Sequence, residues 1–193
     1  MKIITISRQF GAGGRKIGLA VAKELGVMLY DRDIIAATAK ASSIDAKQIE
    51  REGEEISGTE NFLRNITPVS YDQKDLIYET QRSVILNLAE KGPCVIVGRC
   101  ADVILHDAGY DTLNVYIYAD EMTRANRLAG ELNTTDTVEL ARAMKKTDRA
   151  RRMYYEHYTG QRWGDCTNYD ITLNSGTVDI DTCVKIIVDA AKA

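Results

Sequence analysis

Five short apolar runs, Ile3–Ile6, Val27–Tyr30, Pro93–Val97, Leu113–Tyr118 and Tyr169–Leu173, punctuate the chain. They are apolar at consecutive rather than alternate positions, the pattern of strands covered on both faces. Between them the apolar positions return every three or four residues. Leu19, Val21, Ala22 and Leu25 close a first helix, and residues 72–91, 120–130, 136–158 and 179–192 predict four more. Alternating strands and helices predict a three-layer α/β domain built on a parallel sheet. Ligands in that architecture gather beyond the carboxyl ends of the strands, where Gly11 to Gly14, Asp31, Arg99 and Asp120 should emerge.

The first run breaks into Ser7-Arg8-Gln9-Phe10-Gly11-Ala12-Gly13-Gly14 before a helix opens at Arg15-Lys16-Ile17. Three glycines within four residues let backbone N–H groups approach an anion. The helix behind them aims the positive end of its dipole, roughly half a charge, at the same point. Gly11, Ala12, Gly13 and Gly14 therefore predict a phosphate cradle, the alternative being an ordinary strand-to-helix turn whose glycines serve only tight packing. The strict pattern GxxxxGK[ST] is absent, because Gly14 stands where the lysine should follow Gly13. Arg15 or Lys16 is the expected replacement for that charge. Asp31 also lies at the spacing of a ribose-binding acid in dinucleotide enzymes, but GxGxxG needs a glycine where Lys16 stands.

Composition narrows the classes of partner. The 193 residues, 45% hydrophobic and 27% charged, suit one domain spanning 1–193. Lys and Arg number 25 against 28 Asp and Glu, a net charge of −3, so no global field favours a nucleic acid polymer or an anionic membrane. Cys94, Cys100, Cys166 and Cys183 form no CxxC pair and fall largely in apolar segments, as reduced, packed thiols do. His106 and His157 have no neighbouring Cys or carboxylate at a ligand spacing, so no protein metal centre is expected. No segment has the roughly 18 unbroken apolar residues of a membrane span. Met1-Lys2-Ile3 runs directly into the first strand. A cytoplasmic address is the expectation.

Two insertions interrupt the alternation. Residues 41–70 carry the charged run Glu50 to Glu55 and the polar stretch Ser57 to Asn61, either an acceptor-side flap or a solvated surface. Later, Arg142, Lys145, Lys146, Arg149 and Arg152 share one side of a helix while Arg151 points the other way. Five cations on one face suit a polyanion such as a set of phosphates, or else an ordinary basic surface paired with acids such as Asp148 and Glu139. Tyr154, Tyr155, Tyr158 and Trp163 lie where a helix must dock, and packing is their expected role.

Four separated motifs carry a resemblance. Ile4 to Ile17, Tyr30-Asp31-Arg32-Asp33-Ile34-Ile35, Val95-Ile96-Val97-Gly98-Arg99 and Lys145 to Tyr155, continuing through Gly160 to Asp170, resemble the cytidylate kinase-like family of P-loop proteins. The likeness spans most of residues 3–188. It implies a P-loop NTPase fold with an acceptor-side helical insertion at 41–70 and a helical lid at 131–165. It also implies ATP-dependent transfer of a phosphoryl group to a nucleoside monophosphate, CMP or dCMP, with Mg2+ carried on the nucleotide. In those terms Gly11 to Gly14 cradle the donor phosphates and Arg15 and Lys16 neutralise them. Asp31 and Arg99 orient the acceptor, and Arg149 and Arg152 close over the moving group. Three departures, Gly14 and Arg15 in the turn and Val97 where the family has an aspartate, keep open a nucleotide-binding regulatory protein with little catalysis.

Overall fold

The apolar runs become strands β1 (Ile3–Arg8), β2 (Met28–Tyr30), β3 (Cys94–Val97), β4 (Thr112–Tyr118) and β5 (Ile171–Asn174). They form a parallel sheet in the order β2-β3-β1-β4-β5. The computed structural model describes residues 2–42, 46 and 69–193, so most of the 41–70 insertion lies outside the described residues. The helices are α1 (Gly14–Leu25), α2 (Arg32–Ser42), α3 (Val69–Ala89), α4 (Ala101–Asp107), α5 (Glu121–Leu132), α6 (Thr137–Thr159) and α7 (Ile180–Lys192). Helices α2 and α4 are additions to the sequence reading. Seven residues, as in α4, are too few to display a helical period.

Strand side chains alternate across the sheet, which explains the unbroken apolar runs. Ile4, Ile6, Val95, Val97, Leu113, Val115 and Ile117 face α1 and α7, where Ile17, Val21, Cys183, Val184 and Ile187 complete one core. Ile3, Cys94 and Ile96 face the other layer and meet Ile85 of α3, Ile104 and Leu105 of α4, and Tyr154 and Tyr155 of α6. The expected aromatic packing is present: Tyr78 stacks on Tyr158 at 4.1 Å between ring centroids, and Trp163 meets Tyr116 edge-on at 5.6 Å. Cys94, Cys100 and Cys183 are buried thiols, whereas Cys166 is exposed in a short turn of helix before β5. No helix among the described residues is long and apolar enough to cross a membrane.

β1 is the central strand and is almost wholly buried, so its carboxyl end opens at the middle of the sheet edge. The ends of β2 and β3 open beside it. Asp31 and Gly98-Arg99 therefore flank the glycine turn, and α6 crosses the same edge from the opposite layer.

Candidate functional site

The turn after β1 is held by side chains from outside it. Gln9 donates its N–H to the Ile117 carbonyl at 2.9 Å, and its Oε1 accepts from Ala119 N–H at 3.2 Å. The Phe10 carbonyl accepts from Arg124, and the Ala12 carbonyl accepts from Ser175 Oγ at 2.6 Å and Arg127 at 3.2 Å. In a trans peptide the following N–H points opposite to the carbonyl. Drawing the Phe10 and Ala12 carbonyls outward thus turns the Gly11 and Gly13 N–H groups inward, toward a cavity that both residues line. Gly11 has φ +76°, and a Cβ there would meet Leu128 at 2.9 Å, so the turn requires glycine. The first amides of α1 face the same place without intrahelical acceptors.

This cavity is about 280 Å³. Of the residues expected at the site, Gly11, Gly13, Gly14, Arg15, Lys16, Asp31 and Arg99 all line it. Ala12 is buried beneath it and contributes its outward carbonyl. Asp120 takes another role: it caps α5 by accepting from Thr123 N–H at 2.8 Å. Asp31 stands between two guanidinium groups, 3.0 Å from Arg15 and 3.7 Å from Arg8. Gly98, Arg99 and Cys100 have φ of +77°, +63° and +56°, so three successive residues are left-handed. That conformation costs a non-glycine residue about 1 kcal/mol or more. Here it swings Arg99 off the strand axis into the cavity wall.

Helix α6 corrects the expected orientation of the basic stripe. Arg149 and Arg152 are exposed and line neither this cavity nor the smaller one beside it, whereas Arg151 lines both. Arg151 donates to the Arg8 carbonyl at 3.2 Å and lies 5.6 Å from the centre of the Phe10 ring. The physical reason is the packing seam of the helix, with Leu140, Met144, Tyr154 and Tyr155 buried on it. Arg151 borders that seam, while Arg142, Lys145, Lys146, Arg149 and Arg152 are exposed. Asp148 shares the inner side. It accepts from Phe10 N–H at 2.7 Å and pairs with Arg124 at 2.5 Å. Arg8, Arg151, Asp148 and Arg124 were absent from the sequence-derived set. Arg124, Asp148 and Arg151 share one signal, a charge at a position whose helical period calls for an apolar residue, whereas Arg8 at the end of β1 carries none.

Beneath the smaller cavity, the buried Asp102 carboxylate accepts from Tyr155 OH at 2.9 Å, tying α4 to α6. Burial raises the Asp102 carboxyl above the usual carboxylate range, and the Tyr155 hydrogen bond opposes only part of that. A pKa raised by folding means the native state holds the proton more tightly than the unfolded chain. The associated stability is present at acid pH and is lost as pH rises through the raised value. Asp102→Asn keeps an acceptor for Tyr155 without the charge. Its melting temperature should exceed the parent's at about pH 8, and the advantage should shrink toward about pH 4. Melting curves across that range check this, and a gap that widens on acidification would contradict it.

The donor set suits a polyanion better than a protein-held metal. Among the described residues no group of three or more His, Cys, Asp or Glu side chains could hold an ion. The turn offers Gly14 and Arg15 where a lysine and a magnesium-binding hydroxyl would stand, Val97 is buried in β3, and Asp31 is engaged by two arginines. These residues do not form a site for Mg2+. The glycine turn and the start of α1 do fit nucleotide phosphates.

The comparisons with known proteins agree with this geometry. The chain is 27% identical over 193 residues to a cytidylate kinase of Archaeoglobus fulgidus, covering 98% of this chain and 94% of that protein. An uncharacterized protein from Eubacterium ventriosum superposes with a TM-score of 0.74 at 27% identity, over 100% of this chain and 99% of that one. The shikimate kinase of Bacteroides thetaiotaomicron shares the fold, with a TM-score of 0.58 at 15% identity over 100% and 99% of the two chains. The fold is that of the P-loop kinases. The model of the cytidylate kinase-like family matches residues 3–177, and the chain belongs to that family.

Proposed function

We propose that this chain transfers the γ-phosphoryl group of ATP to a nucleoside monophosphate, with CMP and dCMP the first acceptors to test. The observation that carries this reading is the charge around one cavity. Arg8, Arg15, Lys16, Arg99 and Arg151 line it together with the glycine turn, against the carboxylates of Asp31 and Glu131. Two unit charges 4 Å apart interact by about 1 kcal/mol in water and about 4 kcal/mol at the effective dielectric of a protein surface. Such a cluster offers a polyanion several cations at one place, and two nucleotides bring several phosphates. The acceptor base follows the family and the relative named a cytidylate kinase.

In this reading the inward N–H groups and the start of α1 hold the donor phosphates. Arg15 and Lys16 border them, and Arg99 and Asp31 set the acceptor opposite. An acceptor phosphate oxygen attacks the γ-phosphorus in line. The new O–P bond forms as the bond to the β–γ bridging oxygen breaks, and the electron pair leaves on ADP. The attacking oxygen already carries charge, so no general base is required, and the work is positioning and charge stabilisation. Arg151, between Arg8 and the turn, supplies the latter. Mg2+ would arrive on the nucleotide's own oxygens, and no step is routed through it.

Incubating the protein with ATP, magnesium and a panel of nucleoside monophosphates, then separating the products, tests the reading. Formation of a nucleoside diphosphate is expected. Tight ATP binding without transfer to any member of the panel would instead support a nucleotide-binding regulatory protein, the reading that Gly14, Arg15 and Val97 motivate.

A further inference from the structure

The pattern GxxxxGK[ST] has no side chain at its first position and a lysine at its seventh. Here Gly13 is the second glycine, so the first position is Arg8 and the seventh is Gly14. The chain has exchanged the two: a cation where the pattern has glycine, and glycine where it has the cation. The structure shows why the changes go together. A Cβ on Gly14 would lie 2.6 Å from Arg8 Cβ and 2.9 Å from its Cγ, so one volume admits the stem of either residue but not of both. Arg8 fills it. Its side chain is 17% exposed and runs across the sheet edge. A Cβ on Gly98 would run into Arg8 Nη1, so the guanidinium reaches over the end of β3 toward the acceptor side. Arg8 lines both cavities.

We infer that Arg8 is the phosphate-binding cation of this site, delivered from the end of β1 in place of the lysine that would otherwise follow Gly13. This rests on the reading of the cavity as a donor-phosphate site. Arg15 and Lys16 are exposed at the rim, and the Arg15 side chain, 61% exposed, holds Asp31. Arg8 instead lies between the turn and Arg99, where the transferred group would pass. A guanidinium binds phosphate oxygens through two parallel hydrogen bonds, so it can contact donor and acceptor oxygens at once. Asp31, 3.7 Å away, holds the group over the cavity.

The test is a swap. Compare the parent with Arg8→Ala, Arg8→Gly, Gly14→Lys and the double variant Arg8→Gly/Gly14→Lys. Follow melting temperature, ATP affinity by calorimetry with and without magnesium, and turnover with the acceptor found for the parent. Arg8→Ala and Arg8→Gly should lower turnover by about a hundredfold or more. Gly14→Lys alone should melt earlier, because its stem meets Arg8. The double variant should recover at least about tenfold of the activity lost in Arg8→Gly, since a lysine at 14 restores the charge in the vacated volume. A lysine there cannot restore the Asp31 pair or the cover over Gly98, so a purely structural Arg8 predicts no recovery. Parent-like turnover in Arg8→Ala, or no gain in a folded double variant, would overturn the inference. If the parent binds ATP but transfers nothing, the transfer reading fails. ATP affinity then decides for Arg8: loss in Arg8→Gly with recovery in the swap upholds it, and unchanged affinity removes it. A parent that binds no ATP ends both.

Discussion

Arg151→Ala is expected to lower turnover by about a hundredfold or more while ATP affinity changes modestly, and Arg149→Ala and Arg152→Ala to leave turnover within about threefold of the parent. The contrast follows from the placement of α6. Arg151 borders the packed seam, bonded to the Arg8 carbonyl and set against Phe10, and it lines the cavity where the phosphoryl group would move. A guanidinium fixed there need not reorganise as charge develops, which is when a preorganised donor contributes most. Arg149 and Arg152 are exposed and line neither cavity, so water and salt screen them more strongly. Arg151→Lys should recover only part of the loss, because an ammonium cannot reproduce the planar fork. Steady-state kinetics on variants with parent-like melting curves would check the ranking. A loss at Arg149 and Arg152 equal to that at Arg151 would mean that the exposed stripe also reaches the phosphates during turnover.

That contrast shows where the sequence was legible and where it was not. The five strands could be read because parallel strands buried on both faces are apolar at every position. Gly11 to Gly14, Asp31 and Arg99 could be placed together because the topology delivers strand ends to one edge, whatever their side chains do. α6 was harder. Its cations are most numerous among the exposed positions, and their clustering points to Arg149 and Arg152. Hydration makes such a stripe inexpensive, so number alone carries little information about a ligand. A single charge on an apolar seam is costly unless something answers it. Arg151 between Met144 and Tyr154, and Arg124 one turn before Leu128, were visible in that sense. Arg8 was concealed differently. It ends a strand as an ordinary surface residue would, and its relation to Gly14 depends on a distance that no spacing rule gives.

Arg124 and Asp148 provide the largest expected effect on stability. Their side chains are 8% and 13% exposed and meet at 2.5 Å, and Asp148 also accepts the Phe10 N–H at 2.7 Å. Arg124 donates to the Phe10 carbonyl as well, so the pair holds both sides of one residue in the glycine turn. Replacing a buried pair by apolar groups can be nearly neutral, whereas removing one partner leaves an uncompensated charge and typically costs about 3–5 kcal/mol. Asp148→Ala should fall in that range and leave the Phe10 N–H unsatisfied besides. Adding Arg124→Met should restore part of the loss, because the stranded guanidinium is gone. The double variant should therefore be more stable than the sum of the single losses predicts, by at least about 1 kcal/mol. Urea unfolding with an unchanged slope would measure these differences. Nucleotide affinity supplies a second readout. With the Phe10 carbonyl released, the turn loses the constraint that directs Gly11 N–H inward, so even the stabilised double variant should bind ATP more weakly than the parent. Strictly additive losses would show that the two charges act independently. Parent-like ATP affinity in the double variant would show that the turn holds its shape without them.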